Sequence, residues 1–495
     1  MLLANARPVR LGATGPGAPV SVRTRGGRVV AVGAHLRREP GEELVDAAGR
    51  WLLPGLWDAH VHLGQWARRR TRLDLAGTVS AAEALDRVRG AVAASPAAAT
   101  VLVGVGHRPA TWAEPPTVSA LDEATGPLPV VLVSGDAHGG WLNSAALGRF
   151  GLPWRDSPVV EAEWFDALPA ILAAEDELVG PGAYTDALRA AAARGIVGVV
   201  DYEFEPGFSA WPRRYATVGV GVRVRTSTYP RDLDAAIAGG VRTGDALATV
   251  EGEPMVTMGS LKIISDGSLN TRTAACADPY PTGGHGVQNV SPADLRDLLG
   301  RARAHGLTVA LHAIGDAAVA AALDAFAATG AAGTIEHAQL LPAGAPERMA
   351  TLGLAASVQP AHLLDDRHVT ASVWGPDRAR RSFPLRDLAD AGVELLMGSD
   401  APVAPLDPWL ALAAAVHRGD PDDPPWFPAQ ALRPAEALRA STGGRDEVAP
   451  GSPADLVLLD ADPLAPGAPA EVARALRAMP VAATWVAGRP LHRTF

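Results

Sequence analysis

The 495-residue chain has little cysteine, little lysine and no long hydrophobic run. Its one cysteine, Cys276, cannot form a disulfide within the chain. No stretch of about 18 strongly apolar residues occurs, so we expect no transmembrane helix and no membrane partner. The N-terminus lacks a charged segment followed by a long apolar one, which favours a cytoplasmic protein. A formal net charge of −10 argues against a nucleic-acid partner.

Lysine is almost absent, although the chain is not poor in basic residues. Of the 44 basic residues, all but Lys262 are arginine. A general bias toward arginine explains the depletion without any functional meaning, and chance alone can leave one lysine. The position still raises the question of what an amine does there that a guanidinium cannot.

The distribution of apolar residues indicates a globular α/β protein. Charged residues are 20% and apolar residues 48% of the chain, and the length suggests two to four structural units. Both chain ends are typical of short strands bounded by Gly or Pro. Between them, apolar strand-like runs alternate with Ala-rich helical stretches, which predicts either a parallel barrel or a doubly wound sheet. Residues 65–180 interrupt this alternation and are interpreted as an insertion with its own subdomain.

The strongest indication of a chemical function is the pair His60 and His62 at the end of the run of residues 53–62. Residues two apart in a strand point the same way, so both imidazoles can meet on one metal ion. Two packed or solvent-facing histidines are the alternative. Taken alone, the pair leaves both interpretations open.

Later strand-like runs end in further candidate ligands. His312 and His337 each follow an apolar run, and Asp400 ends another. In a barrel, side chains at the carboxyl ends of the strands form the active site. Each of these residues alone is more typical of a helix cap or a satisfied core residue, but their recurrence in barrel order favours a shared site.

Lys262 lies in a strand-like run between His62 and His312. A lysine amine can lose its proton and react with carbon dioxide to give a carbamate, whose two oxygens can bridge two metal ions. Arginine cannot replace it in that role. The alternative is a lysine that forms an ion pair with Asp266 or with another nearby carboxylate.

The order His-x-His, Lys, His, His, Asp on successive strands resembles the amidohydrolase superfamily of metal-dependent hydrolases. The residues of these motifs are similar to those of its amidohydrolase-3 branch, which includes N-substituted formamide deformylase. The segments that carry the resemblance are residues 53–62, 134–144, 262–268, 312–316, 336–337, 398–403 and 450–456. They span nearly the whole chain.

This resemblance implies a TIM-like (β/α)8 barrel with a small β-sandwich built from both chain ends and an insertion after the first barrel strand. The implied division is residues 1–54 and 446–495 for the sandwich and residues 55–445 for the barrel. It also implies that His60 and His62 bind one metal, that carbamylated Lys262 bridges, that His312 and His337 bind a second, and that Asp400 is both ligand and proton carrier. The implied cofactor is a divalent metal, zinc by preference, with one or two ions per chain.

Two further residues have candidate roles. His138, within the insertion, is the candidate for contact with the substrate carbonyl, and a structural role in its loop is the alternative. Asp58 either orients a metal ligand or caps a turn. His362 lacks ligand-like spacing and is expected at most to line the pocket.

The implied activity is hydrolysis of C–N bonds in amide-like, non-peptide small molecules of the N-substituted formamide or N-acyl type by metal-activated water. A deaminase or cyclic-amide hydrolase on the same scaffold is the alternative, as is a catalytically silent small-molecule-binding protein. A homodimer is expected from base rates. The connection at residues 443–449 is shorter than the resemblance leads one to expect, which affects the packing of the last helix more than the chemistry.

Overall fold

A computed structural model describes residues 1–12, 17–95, 100–107, 109, 112–134, 139–176, 180–218 and 221–495. His138 lies outside the described residues. The chain separates into two compact units, one of residues 1–63 and 188–495 and one of residues 64–187. Among the described helices, none combines the length and the apolar character needed to cross a membrane.

The described strands are, in chain order, β1 (Leu2–Pro8), β2 (Val20–Arg25), β3 (Arg28–Gly33), β4 (Leu44–Asp46), β5 (Trp51–Pro54), β6 (Leu56–Val61), β7 (Leu73–Asp74), β8 (Leu102–His107), β9 (Val130–Ser134), β10 (Gly139–Leu142), β11 (Val159–Val160), β12 (Ile196–Asp201), β13 (Arg223–Thr228), β14 (Ala246–Val250), β15 (Glu253–Ile264), β16 (Val309–Ala313), β17 (Gly333–His337), β18 (Ala355–Val358), β19 (Leu395–Met397), β20 (Leu456–Leu459), β21 (Val481–Val486) and β22 (Arg489–Arg493).

The described helices are α1 (Leu63–Thr71), α2 (Ala81–Ala94), α3 (Val118–Thr125), α4 (Ser144–Arg149), α5 (Glu161–Asp176), α6 (Pro181–Ala193), α7 (Gly207–Val218), α8 (Leu233–Ala238), α9 (Pro292–Ala304), α10 (Asp316–Thr329), α11 (Ala345–Leu352), α12 (Leu363–Asp366), α13 (Thr370–Trp374), α14 (Pro376–Arg381), α15 (Leu385–Asp390), α16 (Pro408–His417), α17 (Pro434–Ser441) and α18 (Pro469–Arg477). Short 3-10 helices lie at Pro230–Asp232, Pro360–His362 and Pro428–Gln430.

Eight parallel strands form the sheet that carries the candidate site. Their order is β6, β12, β13, β15, β16, β17, β18, β19, and β14 pairs antiparallel with β15. Strand β12, Ile-Val-Gly-Val-Val-Asp, is almost wholly buried, as expected for a parallel strand covered on both faces. The first and last strands meet at a parallel bridge between Val61 and Ala401, so the sheet nearly closes. The predicted barrel is confirmed over the doubly wound alternative.

Strands from both chain ends share a second sheet. Its order is β22, β21, β20, β5, β1, β2, β3, with β4 parallel to β1. Strand β5 from the first part of the chain pairs antiparallel with β20 from the last, and the core between them includes Leu52, Leu458 and Trp485. The two ends thus fold together. The arrangement of this sheet as a sandwich, and the predicted domain boundaries, remain predictions.

The unit of residues 64–187 has its own sheet, in the order β11, β10, β9, β8, β7. Helix α2 begins where Ser80 accepts a hydrogen bond from the backbone N–H of Glu83, as a helix cap does. The core contains the fully buried side chains of Trp141 and Trp164. This unit therefore buries its own apolar side chains.

Candidate metal centre

The candidate residues lie at or just beyond the carboxyl ends of the barrel strands. They are His60 in β6 and His62 after it, Lys262 in β15, His312 in β16, His337 at the end of β17, His362 after β18 and Asp400 after β19. The ends of parallel strands in a barrel gather on one face, which is where side chains from distant parts of the chain can meet.

The barrel closes at the site itself. The Asp400 N–H donates to the His60 carbonyl at 2.7 Å, and the His62 N–H donates to the Ala401 carbonyl at 2.9 Å. Gly398 makes this approach possible, because a Cβ there would lie 2.7 Å from the His60 nitrogen. The two ends of the sheet thereby hold His60, His62 and Asp400 together.

Asp58 joins the same two strand ends. Its Oδ1 accepts hydrogen bonds from the backbone N–H groups of His60, at 3.1 Å, and of Ser399, at 3.0 Å. Burial raises the pKa of this carboxyl to about 6, against the lowering effect of the Ser399 hydrogen bonds. Asp58 therefore fixes the backbone on either side of the candidate ligands, which suits the predicted orienting role.

Asp400 is the carboxylate on which three imidazoles converge. Its Oδ1 lies 3.6 Å from His60 Nε2 and 3.5 Å from His62 Nε2, and its Oδ2 lies 3.8 Å from His362 Nε2. Its backbone φ is 56°, in the left-handed region, so the chain accepts strain to aim this side chain. Burial raises its pKa to about 7, while the nearby Lys262 lowers it.

Two groups of possible metal ligands share Asp400. His60, His62 and Asp400 form one, and His337, His362 and Asp400 form the other, with the ligand atoms of each group within 4.8 Å of one another. His362 was not predicted as a ligand, yet it is in the second group. His312 is adjacent to His337, with ring centroids 4.5 Å apart, but its Nε2 lies 3.2 Å from the Gly267 carbonyl oxygen.

Lys262 is buried beside the first group. Its Nζ lies 3.3 Å from His60 Nε2 and 4.2 Å from the centre of the Tyr202 ring. The alternative ion pair with Asp266 is not formed, because that carboxylate accepts the backbone N–H groups of Ala275, Ile314 and Gly315 instead. Burial lowers the lysine pKa to about 8, which brings the reactive neutral amine within reach near neutral pH.

A buried carboxylate that was not predicted from the sequence holds His60. Glu336 Oε2 lies 2.6 Å from His60 Nδ1. Its Oε1 accepts hydrogen bonds from the hydroxyls of Tyr202, at 3.4 Å, and Thr334. A carboxylate on Nδ1 leaves Nε2 free of its proton and aimed toward Asp400, the arrangement found around metal-bound histidine.

Burial also keeps the imidazoles neutral. It lowers the pKa of His362 to about 4. It also lowers the pKa of His62 to about 3 and those of His60 and His337 strongly, and for these three neighbouring cationic groups contribute less. Neutral imidazole is the form that binds metal. A buried set of neutral imidazoles around one carboxylate fits zinc, iron, nickel or copper better than magnesium or calcium.

Comparison with known proteins decides the family. Residues 43–492 match the sequence profile of the amidohydrolase family. The chain belongs to this family. The resemblance to the amidohydrolase-3 branch drawn from the motifs is thereby confirmed. The amidohydrolase has an α/β barrel and candidate metal-binding groups, as expected.

Among the relatives of this amidohydrolase is the protein LONG AFTER FAR-RED 3 of Arabidopsis thaliana, 29% identical over 95% of this chain and 88% of the relative. The N-substituted formamide deformylase of Arthrobacter pascens is 26% identical over 90% of each chain. An uncharacterized metal-dependent hydrolase from Pyrococcus horikoshii has a similar structure, with a TM-score of 0.77, 25% identity, and coverage of 94% of this chain and 98% of that one.

Proposed function

We propose that this amidohydrolase hydrolyses C–N bonds of amide-like, non-peptide small molecules of the N-substituted formamide or N-acyl type. The observation that carries the proposal is the convergence of three imidazoles on Asp400 at the barrel's closing seam. Similarity to an N-substituted formamide deformylase along nine-tenths of the chain supports the substrate class.

We propose a divalent metal, zinc by preference, as the cofactor. His60, His62 and Asp400 would hold one ion, and His337 would hold a second with His362 or, as the sequence predicted, His312. Lys262, as a carbamate, would bridge them. A bound divalent ion supplies an acidified water molecule and polarises the substrate carbonyl.

Asp400 is suited to move the proton. Its carboxylate, on which three imidazoles converge, would take a proton from water and release it to the leaving nitrogen. The products are a carboxylate and an amine. The predicted contact of His138 with the substrate carbonyl remains a proposal.

An apolar surface beside the site supports a substrate with an apolar substituent. The Phe204 side chain is exposed, and its ring stacks on that of His62 with centroids 5.3 Å apart. The Tyr229 ring lies 5.2 Å beyond it. A flat substituent on the substrate nitrogen would pack against Phe204 while the amide carbonyl faces the candidate ligands.

The test measures formate and amine release from N-benzylformamide by zinc-loaded protein. Asp400→Asn keeps the shape of the side chain and removes the base, so we expect activity to fall by at least about 100-fold. Asp297→Asn, on the exposed face of α9, is the matched control and should retain full activity.

The same time course run with N-acetylphenylalanine, hydantoin and an aminopurine separates the alternatives. Release of a free amino acid would support the N-acyl type. Ring opening or ammonia release alone would replace the proposal with a cyclic-amide hydrolase or a deaminase. A metal-loaded protein that is inert on the whole panel, and whose Asp400→Asn variant binds the same compounds, would indicate a silent binding protein. The cytoplasmic location, the homodimer and the absence of nucleic-acid and membrane partners remain predictions.

A further inference from the structure

A cavity of about 510 Å³ that is open to solvent lies at the end of the barrel opposite the candidate metal centre, and Arg225 and Glu394 in its wall are exposed. Its wall includes Trp57 and Ala59 of β6 and Arg225 of β13, and the short connection that carries Arg445 also lines it. Trp57 and Ala59 precede His60 in β6, and Arg225 precedes Thr228, the last residue of β13. The cavity therefore lies toward the amino ends of these strands. Barrel interiors are normally filled by layers of side chains, which makes a hollow of this size notable.

The shape of the cavity depends on two glycines, which lie opposite the Trp57 ring and the Arg225 side chain. A Cβ on Gly198 would lie 2.5 Å from the Trp57 indole, and one on Gly259 would lie 2.9 Å from Arg225 Cγ. Glycine at these two positions lets the indole and the arginine stem lie flat against the strands. The guanidinium of Arg225 then sits 5.1 Å from the centre of the Trp57 ring.

Of the described arginines in the cavity wall, Arg223 has carboxylate partners, whereas Arg225 and Arg445 do not. Arg223 is fixed by hydrogen bonds to Asp455, at 2.8 and 3.1 Å, and to Glu253, at 3.4 Å. Among the described residues, no carboxylate forms an ion pair with Arg225, which is exposed, or with Arg445. Arg445 donates hydrogen bonds to the backbone carbonyls of Thr442, at 3.1 Å, and Gly55, at 3.4 Å.

Burial lowers the pKa of the Arg445 guanidinium, although the nearby Asp455 carboxylate raises it. An anion in the cavity would further compensate the charge of this guanidinium. Guanidinium groups prefer flat, two-oxygen anions, which they bind through paired N–H donors, and the indole adds a flat apolar surface.

We propose that this cavity is a second small-molecule site, separate from the metal centre, which binds a compact carboxylate with a flat apolar body. The carboxylate lies between Arg225 and Arg445, and the apolar body packs on Trp57 and Leu396. A volume of about 510 Å³ falls within the usual range of ligand pockets. Glu394, which also lines the cavity, disfavours ligands with a second negative charge.

The test is calorimetric titration of the zinc-loaded protein with benzoate, in parallel with benzamide, its neutral isostere. We expect benzoate to bind and benzamide to bind at least about tenfold more weakly, since the charge-assisted hydrogen bonds are lost. Arg225→Gln should weaken benzoate binding by about tenfold or more. Glu394→Gln should leave it unchanged or tighten it, because a like charge is removed.

Two controls keep the second site distinct from the metal centre. Asp400→Asn should leave benzoate binding at this cavity intact. Arg296→Gln, on the exposed face of α9, should have no effect on benzoate binding. Thr257→Met, which fills the cavity without touching any charge, should weaken benzoate binding even if the arginine variant folds poorly.

Three outcomes would overturn the proposal. The first is benzoate binding that Asp400→Asn abolishes while Arg225→Gln and Thr257→Met leave it unchanged, which places benzoate at the metal centre alone. The second is equal binding of benzoate and benzamide. The third is no benzoate binding by folded wild-type protein at millimolar concentration. None of these depends on whether the amide-hydrolase activity is found.

Discussion

Replacing Glu336 with glutamine tests whether this carboxylate prepares His60 for metal. Glu336 is fully buried, and its Oε2 lies 2.6 Å from His60 Nδ1. Glutamine keeps the shape but offers one acceptor oxygen instead of two. If that oxygen faces His60, the hydrogen bond survives without the negative charge. If the amide NH2 faces His60, the imidazole loses its acceptor and its favoured tautomer.

The magnitude follows from these two cases. Loss of a partner that orients a metal-bound histidine costs about 10–100-fold in metal affinity. Loss of charge assistance alone places Glu336→Gln near the lower end, about tenfold, and Glu336→Ala near the upper end. The hydroxyls of Tyr202 and Thr334 can rotate, so we expect the free energy of unfolding to fall by only about 1–3 kcal/mol.

The assay is zinc affinity by competition with a chelator, measured beside chemical denaturation of the same samples. Glu347→Gln, on the exposed surface of α11, is the control and should change neither quantity. A variant that loses stability but binds zinc as tightly as the wild type would show that Glu336 only supports the barrel and does not prepare His60 for metal.

Two other substitutions and one pH series test the surroundings of the site. Gly398→Ala should lower the thermal midpoint and the free energy of unfolding by about 1–3 kcal/mol, since its Cβ would lie 2.7 Å from the His60 nitrogen. The control Gly300→Ala in α9 meets no atom within 4 Å and should be neutral or stabilising. Equal thermal midpoints for the two variants would contradict the close approach at Gly398. Burial raises the pKa of Asp201 to about 7, although the N–H groups of Leu63 and Trp211 donate to it. A raised pKa means that its contribution is largest at low pH and is lost as the pH rises toward 7 and beyond. The cost of Asp201→Asn in denaturant unfolding should therefore shrink by about 2–3 kcal/mol between pH 5 and pH 8, and a cost independent of pH would show an ordinary carboxyl.

Much of the fold is accessible from the sequence because the barrel strands are continuous apolar runs. The apolar run of residues 196–200 lies in β12, and the apolar run of residues 355–358 is β18. Periodicity could not choose a barrel over an open sheet, since the choice depends on whether β19 reaches β6. That contact joins residues about 340 positions apart and rests on Gly398 and on the hydrogen bonds of Asp58.

The residues of the candidate site could likewise be predicted only in part from the sequence. His60 and His62 were predicted because side chains two apart in a strand share a direction, and strand ends gather in a barrel. His362 was not predicted as a ligand because it lacks ligand-like spacing. It lies in a short 3-10 helix beyond β18, where no local periodicity indicates the direction of the ring. Glu336 was missed because its partner His60 is 276 residues away. Contacts across a barrel leave no spacing in the sequence.

We propose a metal centre built from His60, His62, Lys262, Asp400 and the histidines of β16, of β17 and of the 3-10 helix after β18. The most direct test is metal content per chain by elemental mass spectrometry, for protein expressed with zinc and bicarbonate and for its Lys262→Ala variant. We expect metal in the wild type and less in the variant, because a bridging carbamate could no longer form. Equal metal in both would leave Lys262 outside the centre, and no metal in well-folded wild-type protein would overturn the proposed metal centre.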